Sequence, residues 1–329
     1  MAGYIARRLF TVAWMTVLLS MLVFVLFNAV PADPAALTCG KACNEQVIEA
    51  NRERLGLDKP LPEQYADWVQ GIFVGRTYGS GEAAFECEAP CLGYSFLKRE
   101  SVTDLLVDRF PVTASIAVGA VVLWLLIGVS SGIFAALRRG QWQDKTITAV
   151  AMFFYSFPSF FFGLVLLFFV VIRWGIVPYP SWVPLTEDPW GWFQTMILPW
   201  LTVALLSAGF YTRLTRSQML ETLGEDYIRT ARSKGLPERT VIRKHALRAG
   251  LTPIVTATGL DLAFLLGGAI VAEVIFTLPG IGKLFLESAT NLDLPVLAAT
   301  TLIAGVFILF ANLIVDLLYG VIDPRVRLS

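Results

Sequence analysis

The sequence contains a single histidine, His245, and no G-x₄-G-K-[ST] segment. The first shortage excludes a histidine-rich metal centre and a histidine phosphorelay. The second excludes a P-loop, so ATP hydrolysis would have to come from another chain. The nearest look-alike, Gly280-Ile281-Gly282-Lys283, has the wrong spacing. No H-E-x-x-H pair and no membrane-embedded Ser-His-Asp set is available, and the chain is therefore read as non-enzymatic, without a metal or cofactor of its own. Charge is scarce as well: Asp, Glu, Lys and Arg make up 16% of the residues, against roughly 25% in soluble proteins. The 26 basic and 26 acidic residues cancel, which gives no support to a nucleic-acid partner.

What is abundant is apolar: 56% of 329 residues, with a mean hydropathy of +0.64. These residues are clustered. A helix crossing a hydrocarbon core of ~30 Å needs ~20 mostly apolar residues, and six stretches approach that length, at 9–29, 112–137, 147–172, 193–211, 251–276 and 296–321. Runs this long exceed buried strands and predict helices. The fold class expected is an all-α polytopic membrane protein of six spans. Arg7 and Arg8 precede the first stretch as in a signal peptide. Its apolar core is longer than the ~7–15 residues of an h-region, so it is read as a retained helix.

Lys and Arg near the span ends set the orientation. With the N-terminus inside, the inner segments carry Arg7, Arg8, Arg138, Arg139, Lys145, nine residues between Arg213 and Arg248, Arg325 and Arg327. The two short outer loops carry only Arg173 and Lys283. Both termini are expected on the cytoplasmic side of the bilayer. Three units follow: residues 1–29, the N-terminus and first span; 30–111, an exported loop domain; and 112–329, a membrane core with an inner loop at 212–249. Loops beyond ~12–15 residues are uncommon without a function, so both long loops should be folded.

All four cysteines, Cys39, Cys43, Cys87 and Cys91, lie in the exported loop. Two C-x₃-C pairs fit a tetrahedral metal site or disulfides. An even number confined to an oxidising compartment favours two structural disulfides, with connectivity left open.

The inner loop reads GEDYIRTARSKGLPERTVIRKHALRAG over residues 224–250. Glu225 and Asp226 open a helix that Arg229, Arg232 and Lys234 close, matching the macrodipole, and Gly235 is a natural left-handed stop. Pro237 suits the first turn of a second helix. Two short helices hinged at Gly235-Leu236 are expected. They form either a basic surface for anionic lipid or a docking element.

Arg229-Thr230-Ala231, three residues, Gly235, then nine residues to His245 resembles the EAA loop of ABC-importer membrane subunits. DYIRTARSKGL is similar to the form found in dipeptide, oligopeptide and nickel permeases, specifically the first of their two permease subunits. ARRLF near the start, LGLDKPLPEQYADWV, GGAIVAEVIFTLPGIGKL and NLIVDLLYGVIDPRVR extend the likeness over most of the chain. Arg229 stands where the general pattern has Glu, and His245-Ala246-Leu247-Arg248 where it has I-x-L-P. GRTYGSGEAAFECEAPCLGYSF departs from a short G-D-L-G-x-S segment, so the cysteine region is an elaboration.

The resemblance implies the type I ABC importer permease fold and half of a translocation pore. It also implies a second permease subunit, two cytoplasmic ATPase subunits that bind ATP and Mg, and an extracytoplasmic substrate-binding protein. Di- and oligopeptides lead as substrates, ahead of nickel chelates and oligosaccharides. Arg229, Thr230, Ala231, Gly235 and Leu236 would couple ATPase closure to the spans. An ion-coupled secondary transporter would show internal repeats, and none is evident. A membrane scaffold would need no coupling turn.

Asp261, about half-way through the fifth span, and Glu273, near its outer end, are costly there unless they face protein or water. They are candidates for the translocation path, where a peptide ammonium needs a counter-charge, or for helix-helix bonds. Asn312 and Asp316 share one face of the sixth span. Gly128-x₃-Gly132 and Gly267-Gly268 permit close helix approach. Pro158 should kink the third span, whose Phe residues are read as facing lipid or other helices.

Overall fold

The computed structural model describes residues 2–29, 35, 44–55, 57–78 and 85–322. Cys39, Cys43, Arg325, Arg327 and the side chain of Asp316 lie outside the described residues. Among the described residues four helices are long and apolar enough to cross a membrane, and two bent helix pairs raise the number to six if each is one span.

The first span is α1 (Ala2–Ala29). Two helices of the exported loop follow, α2 (Glu45–Leu55) and α3 (Leu61–Val74). The antiparallel pair β1 (Arg76–Tyr78) and β2 (Phe85–Cys87) sets Tyr78 opposite Phe85, and β3 (Tyr94–Ser95) pairs with β4 (Glu100–Ser101). Cys87 and Cys91 form a disulfide. Pairing for these two is therefore local, and a cross-loop clamp through them is excluded. The bridge is buried against Tyr78, with Phe85, Tyr94 and Phe96 packed around it. Several contacts fasten the loop to the membrane core, among them an ion pair of Lys98 with Glu287 at 3.2 Å. On α1, Phe24 packs on Tyr65 and Trp68, with ring centroids 5.4 and 5.9 Å apart, and the Ser20 and Tyr65 hydroxyls are 2.8 Å apart. Just ahead of the last span, Asp293 accepts from the Ser95 hydroxyl at 2.5 Å.

The second span, α4 (Val102–Leu137), begins ten residues before the apolar run. Asp104, Asp108 and Arg109 end the run without ending the helix, because Val102, Leu105 and Leu106 remain buried beside Ile281, Leu284 and Val296. The fourth span, α7 (Pro189–Gly224), extends well past residue 211. Residues 212–224, expected in the inner loop, are helical because Thr212, Thr215, Met219 and Thr222 continue a buried stripe at helical spacing. Its start is capped: Asp188 Oδ1 accepts from the N–H groups of Trp190 and Gly191 at 3.1 and 3.0 Å, with Pro189 in the first turn.

Helices α4 and α7 form the centre of the core. A Cβ on Gly128 would lie 2.7 Å from Tyr211 Cβ, and one on Gly132 would lie 2.6 Å from Thr215 Cβ. The small residues thus serve close approach, as their spacing suggests.

The third and fifth spans are broken. α5 (Trp142–Tyr155) and α6 (Ser159–Leu166, continued as a π-helix to Arg173) meet at 95° around Pro158. This is a break rather than a kink: Pro158 adopts ψ 135°, and its ring disfavours helical geometry in the preceding residue. After the short inner helix α8 (Asp226–Ser233), the fifth span is the bent pair of α9 (Glu238–Gly250) and α10 (Thr252–Leu266), which meet at 45°. α10 does not reach residue 276. Gly268 has φ +140°, where a side chain is strained, and its Cβ would lie 2.7 Å from Gly282 Cα. After the turn come α11 (Ile270–Ile275), α12 (Ile281–Asn291) and the last span, α13 (Leu294–Ile322).

Candidate functional site

Two features stand apart from ordinary packing: a half-open cavity around Asp261 and the turn between α8 and α9. The cavity, about 520 Å³, lies where α10 meets α7 and the break in the third span. Asp261 is partly exposed and accepts from the Tyr211 hydroxyl at 2.7 Å. Tyr211 is buried and stacks on Trp124 with centroids 5.6 Å apart and planes 19° apart. One carboxylate oxygen is thereby oriented, and the other accepts no hydrogen bond among the described residues. Tyr155, Phe157 and Phe210 supply further wall, and Ser159 and Ser207 a polar rim. Tyr155 and Phe157 therefore face this cavity, whereas Phe160, Phe161 and Phe168 are exposed at the outer surface of the spans as expected. The 95° break turns aromatic residues of the third span towards the fifth.

Glu273 is placed differently. It is fully buried. Oε1 accepts from the Thr113 hydroxyl at 2.8 Å and from Ala269 N–H at 3.2 Å, while Oε2 accepts from Lys283 N–H at 2.8 Å. The structure does not bring Glu273 to the Asp261 cavity. It ties the segment after the broken fifth span to α4. Gly280 passes directly over its carboxylate, since a Cβ there would lie 2.2 Å from Glu273 Cδ. The Gly-Ile-Gly-Lys look-alike is thus part of this clamp.

The inner turn has the two-helix form expected. Gly235 has φ +74°, and its N–H donates to Arg232 O at 2.9 Å. Arg232 spans the hinge with two hydrogen bonds to Glu238, at 3.1 and 2.6 Å. Ile228 and Ala231 are buried against Met219, Val241 and Ala246 of the same chain. Arg229, Thr230, Gly235 and Leu236 are exposed, with Tyr227 beside them. Ala231 therefore seats the rod on this chain, and the residues open to a partner are Tyr227, Arg229, Thr230 and Leu236. Tyr227, Tyr211 and Trp124 escape a reading by hydropathy. Aromatic residues in or beside apolar runs carry no local mark, and only the polar hydroxyl of Tyr211 within a span hints at a bonding partner.

Family models match nearly the whole chain. Residues 128–328 match the binding-protein-dependent transport system inner membrane component, and residues 1–117 match the N-terminal part of that membrane component. The chain belongs to this family. It is thus a multi-pass permease component of a binding-protein-dependent transport system, as the inner-loop and terminal motifs led one to expect. Among its relatives is a putative peptide transport system permease protein of Brucella abortus (strain 2308), 36% identical over 329 residues and covering 99% of both chains. A probable peptide ABC transporter permease protein of Sinorhizobium fredii is 34% identical over 328 residues, covering 99% of this chain and all of that one. The glutathione transport system permease protein of Escherichia coli (strain K12) is 35% identical over 328 residues, 99% of both chains. Among solved structures, the inward-facing MetNI methionine ABC transporter superposes with a TM-score of 0.51 at 20% identity, covering 67% of this chain and 97% of that one. The permease thus has the type I importer fold.

Proposed function

We propose that this permease forms one half of the translocation pore of an ATP-driven importer of di- and oligopeptides in the bacterial cytoplasmic membrane, with both termini cytoplasmic. The observation that carries this reading is the Asp261 cavity, an oriented carboxylate at mid-span among aromatic walls. A peptide ammonium entering a low-dielectric path needs such a counter-charge, and aromatic faces favour cations. The relatives from Brucella and Sinorhizobium, named as peptide permeases, support peptides as the substrate class.

In this scheme a second permease subunit closes the open side of the cavity, and two ATPase subunits, holding ATP and Mg, receive the turn at residues 226–236. Arg229, Thr230 and Leu236 make the contact, while Gly235 and the inward-facing Ala231 fix its geometry. An extracytoplasmic binding protein delivers substrate to the outer side, where the disulfide-bearing loop lies. Asp261 lines the path, and Glu273 acts on it indirectly by fixing the segment that follows Gly268.

Co-purification from the native membrane, followed by reconstitution with the binding protein, tests the reading. A second permease chain and a pair of nucleotide-binding subunits are expected, with peptide uptake that requires ATP. Purification without nucleotide-binding subunits, or uptake driven by an ion gradient alone, would overturn it.

A further inference from the structure

A cation lies just beyond the Asp261 cavity, against Tyr155 of its wall. Arg213 lies on α7 one turn beyond Phe210 and is exposed. Its guanidinium sits over the Tyr155 ring at 5.9 Å, and Nη1 lies 3.9 Å from Met152 Sδ. Tyr155 in turn stacks on Phe210 at 6.4 Å, and both rings line the cavity that ends at Asp261. The path from guanidinium to carboxylate is a continuous aromatic wall.

Arg213 makes no ion pair among the described residues. Its neighbour Arg216, three residues further along α7, is held by Asp144 through two hydrogen bonds. The helix therefore carries one arginine committed to structure and one left open. The surroundings of Arg213 on α5 are a thioether and a phenol ring, neither of which neutralises it. An exposed guanidinium with a planar, five-donor fork at the end of such a wall is suited to a carboxylate.

We propose that Arg213 is a specificity residue of this cavity, receiving the C-terminal carboxylate of a peptide whose N-terminal ammonium meets Asp261. The pathway would then favour zwitterionic chains with two free ends. This rests on the peptide-importer reading above and extends it. Opposite charges at two ends of one apolar wall reward a ligand that offers both. A ligand with one end blocked leaves one protein charge without its partner, which weakens it selectively.

The test uses the assembled importer in proteoliposomes with saturating, pre-loaded binding protein, so that the first selection is the same for every variant. Three probes are compared: a free tripeptide, its C-terminal amide and its N-acetyl form. Wild type should take up the free peptide about tenfold faster than either blocked form, the scale of one charge-assisted hydrogen bond. Arg213→Met should slow the free peptide to the rate of the amide while leaving amide uptake at its wild-type value. Arg213→Lys should restore part of the preference, because it keeps the charge and loses the fork. Asp261→Asn should erase the preference against the N-acetyl form alone. Equal slowing of free and amidated peptide by Arg213→Met would overturn the proposal and mark Arg213 as a structural contact, for example to a carboxylate of the second permease subunit. Unchanged uptake of both would overturn it as well. Failure of the wild-type complex to take up any peptide would overturn the proposed function itself, an outcome distinguishable from the other two.

Discussion

The hydroxyl of Thr113 donates to Glu273 at 2.8 Å and accepts from the N–H of Ile281 at 2.9 Å. One hydroxyl and one carboxylate thus join α4 to both sides of the turn that interrupts the fifth span. Ala269 and Lys283 N–H complete the carboxylate's hydrogen bonds. Buried as they are, these groups cannot turn to bulk solvent when one partner is lost.

Glu273→Ala should therefore leave the N–H groups of Ala269 and Lys283 and the hydroxyl hydrogen of Thr113 without an acceptor, at about 1–3 kcal/mol for each that stays shielded from water. Glu273→Gln should cost less, since its amide oxygen still accepts. Gly280→Ala should be comparably harmful, because its Cβ would lie 2.2 Å from Glu273 Cδ. The double variant Gly280→Ala/Glu273→Ala should lose less than the two single losses added together, because the clash vanishes with the carboxylate. Thermal melting in detergent gives the order. A Glu273→Ala protein as stable as wild type would refute the clamp.

Arg216 holds Asp144 at 2.5 and 2.8 Å, and Gly140 N–H adds a third bond to the same carboxylate at 2.9 Å. The Asp144 side chain is only 5% exposed, and that of Arg216 is 28% exposed. Arg216→Ala should destabilise by about 2–3 kcal/mol, at or below the usual cost of stranding one partner of a buried pair, because Arg216 is partly solvated. Adding Asp144→Asn should recover part of that loss, as the uncompensated charge is removed. No recovery in the double variant would show that packing of the arginine stem, not the charge, is what matters.

At Gly235 a Cβ would meet nothing within 4 Å, so only the backbone angle resists substitution. Gly235→Ala should cost about 1–2 kcal/mol locally and leave the importer partly coupled. Gly235→Pro removes both the positive φ and the N–H bonded to Arg232. The protein should still insert, yet peptide-stimulated ATP hydrolysis by the complex should fall to its basal rate. Normal stimulation in Gly235→Pro would exclude the turn as the coupling element.

Asp293, at the head of α13, is held above the usual carboxylate range by burial, against the opposing hydrogen bonds from Ser95 and Val296 N–H. The folded protein then binds this proton more tightly than the unfolded chain. Its contribution to stability is therefore greatest below the ordinary value of 3.8 and declines as pH rises through the raised value. Asp293→Asn mimics the protonated form and should remove this slope. The melting temperature of the Asp293→Asn variant minus that of wild type should be larger at neutral pH than in acid. A difference independent of pH would contradict the raised value.

Hydropathy and charge placement by themselves determined the membrane class, the approximate position of the first, second, fourth and sixth spans, the two-helix inner turn around Gly235 and Asp261 as a polar group needing a reason. These are properties of composition over ~20 residues or of one residue's backbone, and neighbours in space hardly alter them. Tertiary structure decided the rest. It carried the fourth span on to Gly224, because burial of Thr215, Met219 and Thr222 depends on a surface that other helices supply. It opened the bend at Pro158 to 95° and ended α10 at Leu266, with Gly268 pressed against Gly282. It separated Asp261, set in a cavity by Tyr211, from Glu273, consumed by Thr113 and two N–H groups, although both are carboxylates of one predicted span. It left Arg213 open while Arg216 was paired. These outcomes rest on contacts between residues far apart in the chain, 50 positions for Tyr211 and Asp261 and 160 for Thr113 and Glu273, and no local pattern encodes them.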